Sequence, residues 1–361
     1  WSNIIPQVNE KIASDGFTPF SIFFMMMLFK GFLVSAAGPA PNYDMQKILS
    51  TRSPAEGAKM SGFVSVILNP IRYFMVTGFV VLALLYYDRL NLVVGDRIDF
   101  EQILPSAMSE FVPVGLLGLL LAGLMAAFMS TFAGTLNAGQ AYVVNDIYLK
   151  IKQDASNRQI KYANWIVGIV LVVISTILGV FALDVNSLLQ WIVSALWGGY
   201  IAANVLKWYW WRFNGHGYFF GMLFGLIPAL IFPLIFKETL ELYYFPIILL
   251  ASVIGCLIGT SKYPATDEET LKSFYRTVRP WGFWGPIHDK VIAEDPTFER
   301  NRDFWRDMFN VAVGIVWQTA LVAMAIYLVL LNGSGAAVSI ALVIVTTLIL
   351  KKTWWDRLPA D

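Results

Sequence analysis

The chain has 361 residues, of which 57% are hydrophobic, 15% aromatic and only 14% charged. A soluble domain of this size carries nearer a quarter charged, so the composition, with a mean hydropathy of +0.61, implies a membrane protein. The net charge of +1 says nothing about partners. Cys256 is the single cysteine and lies in an apolar segment, while His216 and His288 stand far apart in polar loops. These counts exclude a disulfide framework and a thiolate metal site, and argue against a His-based metal centre or proton relay.

Nine apolar segments follow one another, at roughly 17–49, 60–87, 113–146, 161–183, 188–211, 217–236, 243–262, 309–331 and 336–352. Residues 1–16 are a lead-in, placed outside the cell. With that start, the outside keeps only Lys11, Arg89, Arg97 and Lys237 of the 26 Lys and Arg. Lys30 and Arg72 fall inside segments, and all the rest lie on the cytoplasmic side. This positive-inside bias puts the C-terminus in the cytoplasm and the 88–112 loop outside, with a short helix before Pro113. Trp208–Trp211, Tyr243–Tyr244 and Trp354–Trp355 mark segment ends, where an aromatic belt belongs.

The first segment is smooth from Phe17 to Val34 and is then interrupted by Ser35-Ala36-Ala37-Gly38-Pro39-Ala40-Pro41. Two prolines without N–H groups and a permissive glycine predict exposed backbone carbonyls here, although a kink or an early helix end reads the same way. Lys30 sits within this segment, where it either snorkels or meets an acid. In the second segment Arg72 follows Asn69-Pro70-Ile71. An intramembrane arginine needs a partner or a cavity, and a carboxylate, sulfate or phosphate on a solute is one such partner.

The third segment reads PVGLLGLLLAGLMAAFMSTFAGTLNAGQAYVVNDIY, from Pro113 to Tyr148. At 100° per residue, Gly123, Ala127, Ser130, Thr131, Gly134, Ala138, Ala141 and Asn145 share one narrow face. Ala127, Ser130 and Thr131 stand at i, i+3 and i+4. One carbonyl and two hydroxyls converge beside the helix, a hard-oxygen set suited to a small cation. Small and hydroxyl residues also serve close packing between membrane helices.

Leu104-Pro105, this AAFMST…LN run and Asn145-Asp146-Ile147-Tyr148 resemble the eighth core helix of the sodium/solute symporter family, whose members include sodium/galactose and sodium/proline transporters. The resemblance runs through about Gly225. It implies that Ser130, Thr131 and the Ala127 carbonyl hold the coupling Na+. It also implies an all-α membrane protein of the inverted-repeat transporter type. Residues 17–212 are then the second five-helix repeat, core helices six to ten. Two further membrane helices occupy 213–262, a cytoplasmic or interfacial loop 263–308, and the last two helices and the cytoplasmic C-terminus 309–361. The sequence opens at Trp1 with neither Met nor a signal sequence. The expectation is therefore a C-terminal part whose N-terminal half supplies the first repeat.

Gln190 and Gly198–Gly199 resemble core helix ten of the family's galactose transporters, where a Gln contacts the sugar. The aromatic gate of that branch falls on Ala37, and its sugar-binding Asn and Lys fall near Val34 and Leu68, so galactose bound in the same way is not expected. The solute pocket is expected from Ser35, Gly38, Asn69, Arg72 and Gln190. The 263–308 stretch mixes charge with aromatics, which predicts helices lying on the membrane surface, and Asp295-Pro296 reads as a helix start. It holds no phosphate loop, Cys/His cluster or long basic block, which argues against an enzyme or a nucleic-acid partner. The function implied is sodium-coupled symport of a small organic solute across the cell membrane, in bacteria the inner one. A solute sensor of symporter type and an uncoupled, channel-like paralogue are the alternatives.

Overall fold

Within a bilayer, an apolar run satisfies its backbone as a helix or in a closed barrel, and this chain is helical. The computed structural model describes residues 22–37, 47–86, 89–90, 92–94, 97–98, 100–181, 198–236 and 241–358. In chain order the principal elements are α1 (Ile22–Ala36), α2 (Pro54–Leu85), a ribbon of β1 (Val93–Val94) and β2 (Arg97–Ile98), α3 (Ile103–Phe111) and α4 (Val114–Ala141). They continue with α5 (Asn157–Phe181), α6 (Gly198–Tyr209), α7 (Gly215–Ile235), α8 (Phe245–Lys262), α9 (Glu268–Val278), α10 (Gly285–Glu294), α11 (Phe304–Val329) and α12 (Gly333–Thr353). Among the described residues, seven helices are long and apolar enough to cross a membrane, formed around α2, α4, α5, α7, α8, α11 and α12. The chain is an all-α membrane protein carrying one antiparallel two-stranded ribbon, Val93 opposite Ile98.

The helices gather into two compact units: residues 1–42 with 156–302, and 43–155 with 303–361. In the first, α7 and α8 pack through glycines. A methyl placed at Gly259 would sit 2.5 Å from the His216 carbonyl, and one at Gly225 would sit 2.6 Å from the Gly199 carbonyl on α6. Ser252 on α8 is fully buried and donates towards the Gly199 and Gly221 carbonyls, at 3.0 and 2.9 Å. Small residues let backbones approach, and dispersion between the closely packed helices holds the pair together.

At the polar end of this unit, α9 and α10 bury Leu271, Tyr275, Trp284, Ile287 and Val291 against one another, with Trp211 alongside. The apolar faces expected to lie on lipid are thus largely used inside the protein. Gly282 permits the docking: its φ of 107 and a Cβ position 2.5 Å from the Tyr209 carbonyl leave room only for glycine. Phe283 donates its N–H to Tyr209 O at 2.7 Å, and the Trp284 indole donates to Trp208 O at 2.9 Å. Lys272, 5% exposed, bonds Glu294 at 2.5 Å and pairs with Glu269 at 2.7 Å. The helix start expected at Asp295-Pro296 is corrected. Asp295 closes α10, and its carboxylate accepts from Thr297 N at 3.0 Å, a two-residue reach that makes a turn.

In the second unit, Ser53 caps α2 by accepting from Glu56 N at 3.2 Å, while Glu56 accepts from Arg52 N at 2.6 Å. The helix therefore begins at Pro54, earlier than its apolar run, and carries on past Pro70 without ending. Ala83, Leu90, Leu92 and Ala107 form a small core that fixes α3 to the end of α2. A hairpin of α11 and α12 completes the unit. Asn332 caps α12 by accepting from Gly335 N at 2.9 Å, and α2 packs against α11.

Candidate ion and solute site

Pro113 precedes α4 with φ −57 and ψ 146, extended backbone that stops α3 from running on into α4. The helix then holds 28 residues without a break, about 42 Å at 1.5 Å per residue. Ala127, Ser130 and Thr131 sit near its middle and are exposed on it. Helical geometry keeps the three on one side, with Phe128 and Phe132 stacked at 5.6 Å on an adjoining strip.

The hydroxyls decide what this face can do. In membrane helices Ser and Thr usually return their proton to the carbonyl one turn back. Ser61 does so to Gly57 O at 3.0 Å, Ser65 to Ser61 O at 3.2 Å and Thr176 to Val172 O at 2.9 Å. Ser130 and Thr131 make no such bond among the described residues. Their oxygens stand open beside the Ala127 carbonyl as hard, uncharged donors. Beyond Ala141 the helix widens into π-helical turns over Tyr142–Tyr148, which a constant 100° rotation does not foresee.

Asn69 and Arg72 lie on α2, on either side of Pro70, with Asn69 half-buried and Arg72 exposed. Arg72 has no carboxylate partner among the described residues. Ser35 lies on the last turn of α1, in the other unit, with its hydroxyl returned to Gly31 O at 3.0 Å. Gly38 and Gln190 fall outside the described residues. The helix of the first segment ends at Ala36, and most of the expected interruption at Ser35–Pro41 lies outside the described residues. The Ala37 carbonyl accepts the Trp208 indole N–H at 3.2 Å, a partner that nothing in the local sequence announced. Lys30 lies over the buried ring of Phe245 at 5.4 Å, a cation–π contact.

Residues 54–225 match the sodium:solute symporter family, so the kinship expected from α4 is shown over that stretch. The rabbit (Oryctolagus cuniculus) sodium/glucose cotransporter 1 is 26% identical over 200 residues, covering 51% of this chain and 30% of the cotransporter. The sodium/pantothenate symporter of Haemophilus influenzae is 27% identical over 184 residues, 50% of this chain and 37% of the symporter. Mouse (Mus musculus) solute carrier family 5 member 4B is 30% identical over 174 residues, 44% of this chain and 26% of the carrier. The match to each covers only about a third of the relative's length.

Proposed function

We propose that this chain, with its sodium:solute symporter stretch, is the C-terminal part of a sodium-coupled symporter for a small organic solute. The observation that carries the reading is the pair of open hydroxyls at Ser130 and Thr131, one helical turn above the Ala127 carbonyl. Na+ binds there as cargo, and the N-terminal half of the same transporter supplies its remaining oxygens. Each ion moved inward is driven by about 2.3 kcal/mol per 100 mV of membrane potential.

For the solute, the residues expected to take part are Ser35 and Gly38 from the first segment, Asn69 and Arg72 on α2, and Gln190 ahead of α6. A polar solute needs unpaired donors and acceptors in a site that lipid does not reach. Arg72 offers a charge that stays protonated even when buried. The C-terminus faces the cytoplasm. In support, Lys59, Arg306, Lys351, Lys352 and Arg357 gather where one end each of α2, α11 and α12 meets.

Replacing Thr131 or Ser130 with Ala in the complete protein tests the ion site. The concentration of Na+ for half-maximal uptake should rise about tenfold, as loss of one ligand worth ~1.4 kcal/mol requires. Unchanged sodium dependence in both variants would refute the assignment.

A further inference from the structure

The second unit contains a two-part cleft that the sodium and solute reading leaves unused. Its polar part, about 600 Å³, opens where the N-terminal turns of α2 and α11 meet the end of α12. Ser61, Ser65, Arg306, Asn310, Gln318 and Arg357 line it. Its apolar part, about 350 Å³, continues along the same helices past Phe63, Val66, Trp317, Leu350 and Trp354. Gly62, Trp317, Leu350 and Trp354 wall both parts, so the two adjoin along these residues.

Its shape is fixed from within. The Trp354 ring lies on Gly62, where a methyl would meet it at 2.9 Å. Asn310 and Thr353 exchange two hydrogen bonds, Nδ2 to the Thr353 carbonyl at 3.2 Å and Oγ1 to Asn310 Oδ1 at 2.6 Å. Gln318 donates to Ser65 Oγ at 3.3 Å. Asp303 and Asp307 hold Arg306, at 3.0 and 3.1 Å. Arg357 has no carboxylate partner among the described residues. Arg306 is thus neutralised by its two aspartates, and Arg357 and Lys351 are the cations of the lining that no described carboxylate holds.

We propose that this recess binds one phospholipid with an anionic headgroup: the phosphate lies at Arg357 and an acyl chain lies along Phe63, Val66 and Leu350. Arg357 selects an anion: Arg306 is already held by Asp303 and Asp307, whereas the Arg357 guanidinium, with no carboxylate partner among the described residues, can take a phosphate bidentately. The apolar part favours a lipid over a free anion, because the Phe63–Leu350 wall lies on membrane-spanning helices, where an acyl chain attached to the headgroup has a place to lie. The Trp354–Trp355 pair, ring centroids 5.9 Å apart, marks the depth at which headgroup and chain meet.

The test uses the complete transporter in vesicles of phosphatidylcholine alone or doped with phosphatidylglycerol, followed by extraction and native mass spectrometry of retained lipid. Phosphatidylglycerol should be retained in preference, one molecule per protein. Arg357→Gln should weaken its retention about fivefold and Arg357→Lys should restore most of it. Ser61→Phe, which fills the polar part from an exposed position, should abolish it while leaving thermal unfolding without the lipid unchanged. Equal retention of phosphatidylcholine, or indifference to Arg357→Gln, overturns the proposal. So does full stabilisation by glycerol phosphate alone, which would make the ligand a soluble anion. No lipid retained above background also overturns it, the recess then being filled by the protein's own N-terminal half.

Discussion

The α7–α8 pair and α4 are built from similar residues and use them in opposite ways. Both are rich in glycine, alanine and hydroxyls. In α7–α8 nearly every small residue is spent on contact: Gly225 and Gly259 each face another backbone within 3.0 Å of a would-be Cβ, Gly225 against Gly199 of α6, and Ser252 bonds to the Gly199 and Gly221 carbonyls. In α4, Gly115, Gly118 and Gly123 face nothing within 4 Å among the described residues, and Ser130 and Thr131 keep their oxygens open. A stripe of small residues therefore marks close approach without naming what approaches. Within this chain the α7–α8 stripe is already satisfied, and the α4 stripe waits for a helix, an ion or both.

The largest expected effect lies on the satisfied side. Gly259→Leu drives a side chain into the His216 carbonyl, which cannot swing away, and should cost about 3 kcal/mol or prevent folding. A thermal unfolding scan in detergent measures it, and an unchanged melting temperature would mean that α7 and α8 are not in contact. On the open side, Gly123→Leu should leave this chain's own unfolding unchanged yet impair uptake by the complete protein. If uptake survives, the face meets lipid.

Arg72 extends the comparison to α2. If its partner is a carboxylate of the N-terminal half, Arg72→Gln should lower stability and leave the choice of solute alone. If its partner is the solute, the same change should weaken binding of an anionic solute about a hundredfold while sodium binding persists. Unchanged uptake of a neutral solute would mark Arg72 as scaffold.

Smaller effects separate packing from hydrogen bonding. Ser252→Ala removes a buried hydroxyl that serves two carbonyls and should cost about 1 kcal/mol, again read from unfolding. The smallest and most local change should come from pH, in α9–α10. There Lys272 and then Arg276 hold the Glu294 carboxyl below the usual carboxylate range, and Lys290 does the same for Glu268. Lys272 is raised above the usual lysine value, first by Glu269 and then by Glu294. The carboxylates therefore stabilise the folded pair above about pH 4.3 and lose that contribution as the pH falls through their lowered values. The lysine contributes up to about pH 10.4 and loses its share above that. Hydrogen exchange of 268–294, corrected for intrinsic rate, should accelerate at acid pH and stay flat between those limits.

Much of this fold could be read from hydrophobic length alone. The segments at 113–146, 217–236, 243–262 and 336–352 each contain a helix, because lipid leaves an apolar run few other states. Helix starts were less legible. The Ser53-Pro54-Ala55-Glu56 cap is a local polar signal lying outside the apolar run, so α2 begins earlier than hydropathy suggests. The α9–α10 core was not legible. Its amphipathic pattern fits a membrane surface as well as a partner helix, and the choice rests on Gly282 and the Trp208–Trp211 run far away in sequence. That Ala127, Ser130 and Thr131 share one turn of α4 was legible, because it needs only helical spacing. Which residues share a solute site is not legible in the same way, since the candidates lie on separate segments.

The two indole bonds at the end of α1 have a mechanical consequence. Trp208 grips the Ala37 carbonyl with its side chain, and its own carbonyl is gripped by Trp284. The end of α1 is thus tethered through one residue to the α9–α10 pair. A shift of that end by more than an ångström or so must either snap the Ala37 bond or drag the pair with it. A ligand that clamps α9–α10 from the aqueous side would then act as a brake on α1 without ever entering the membrane.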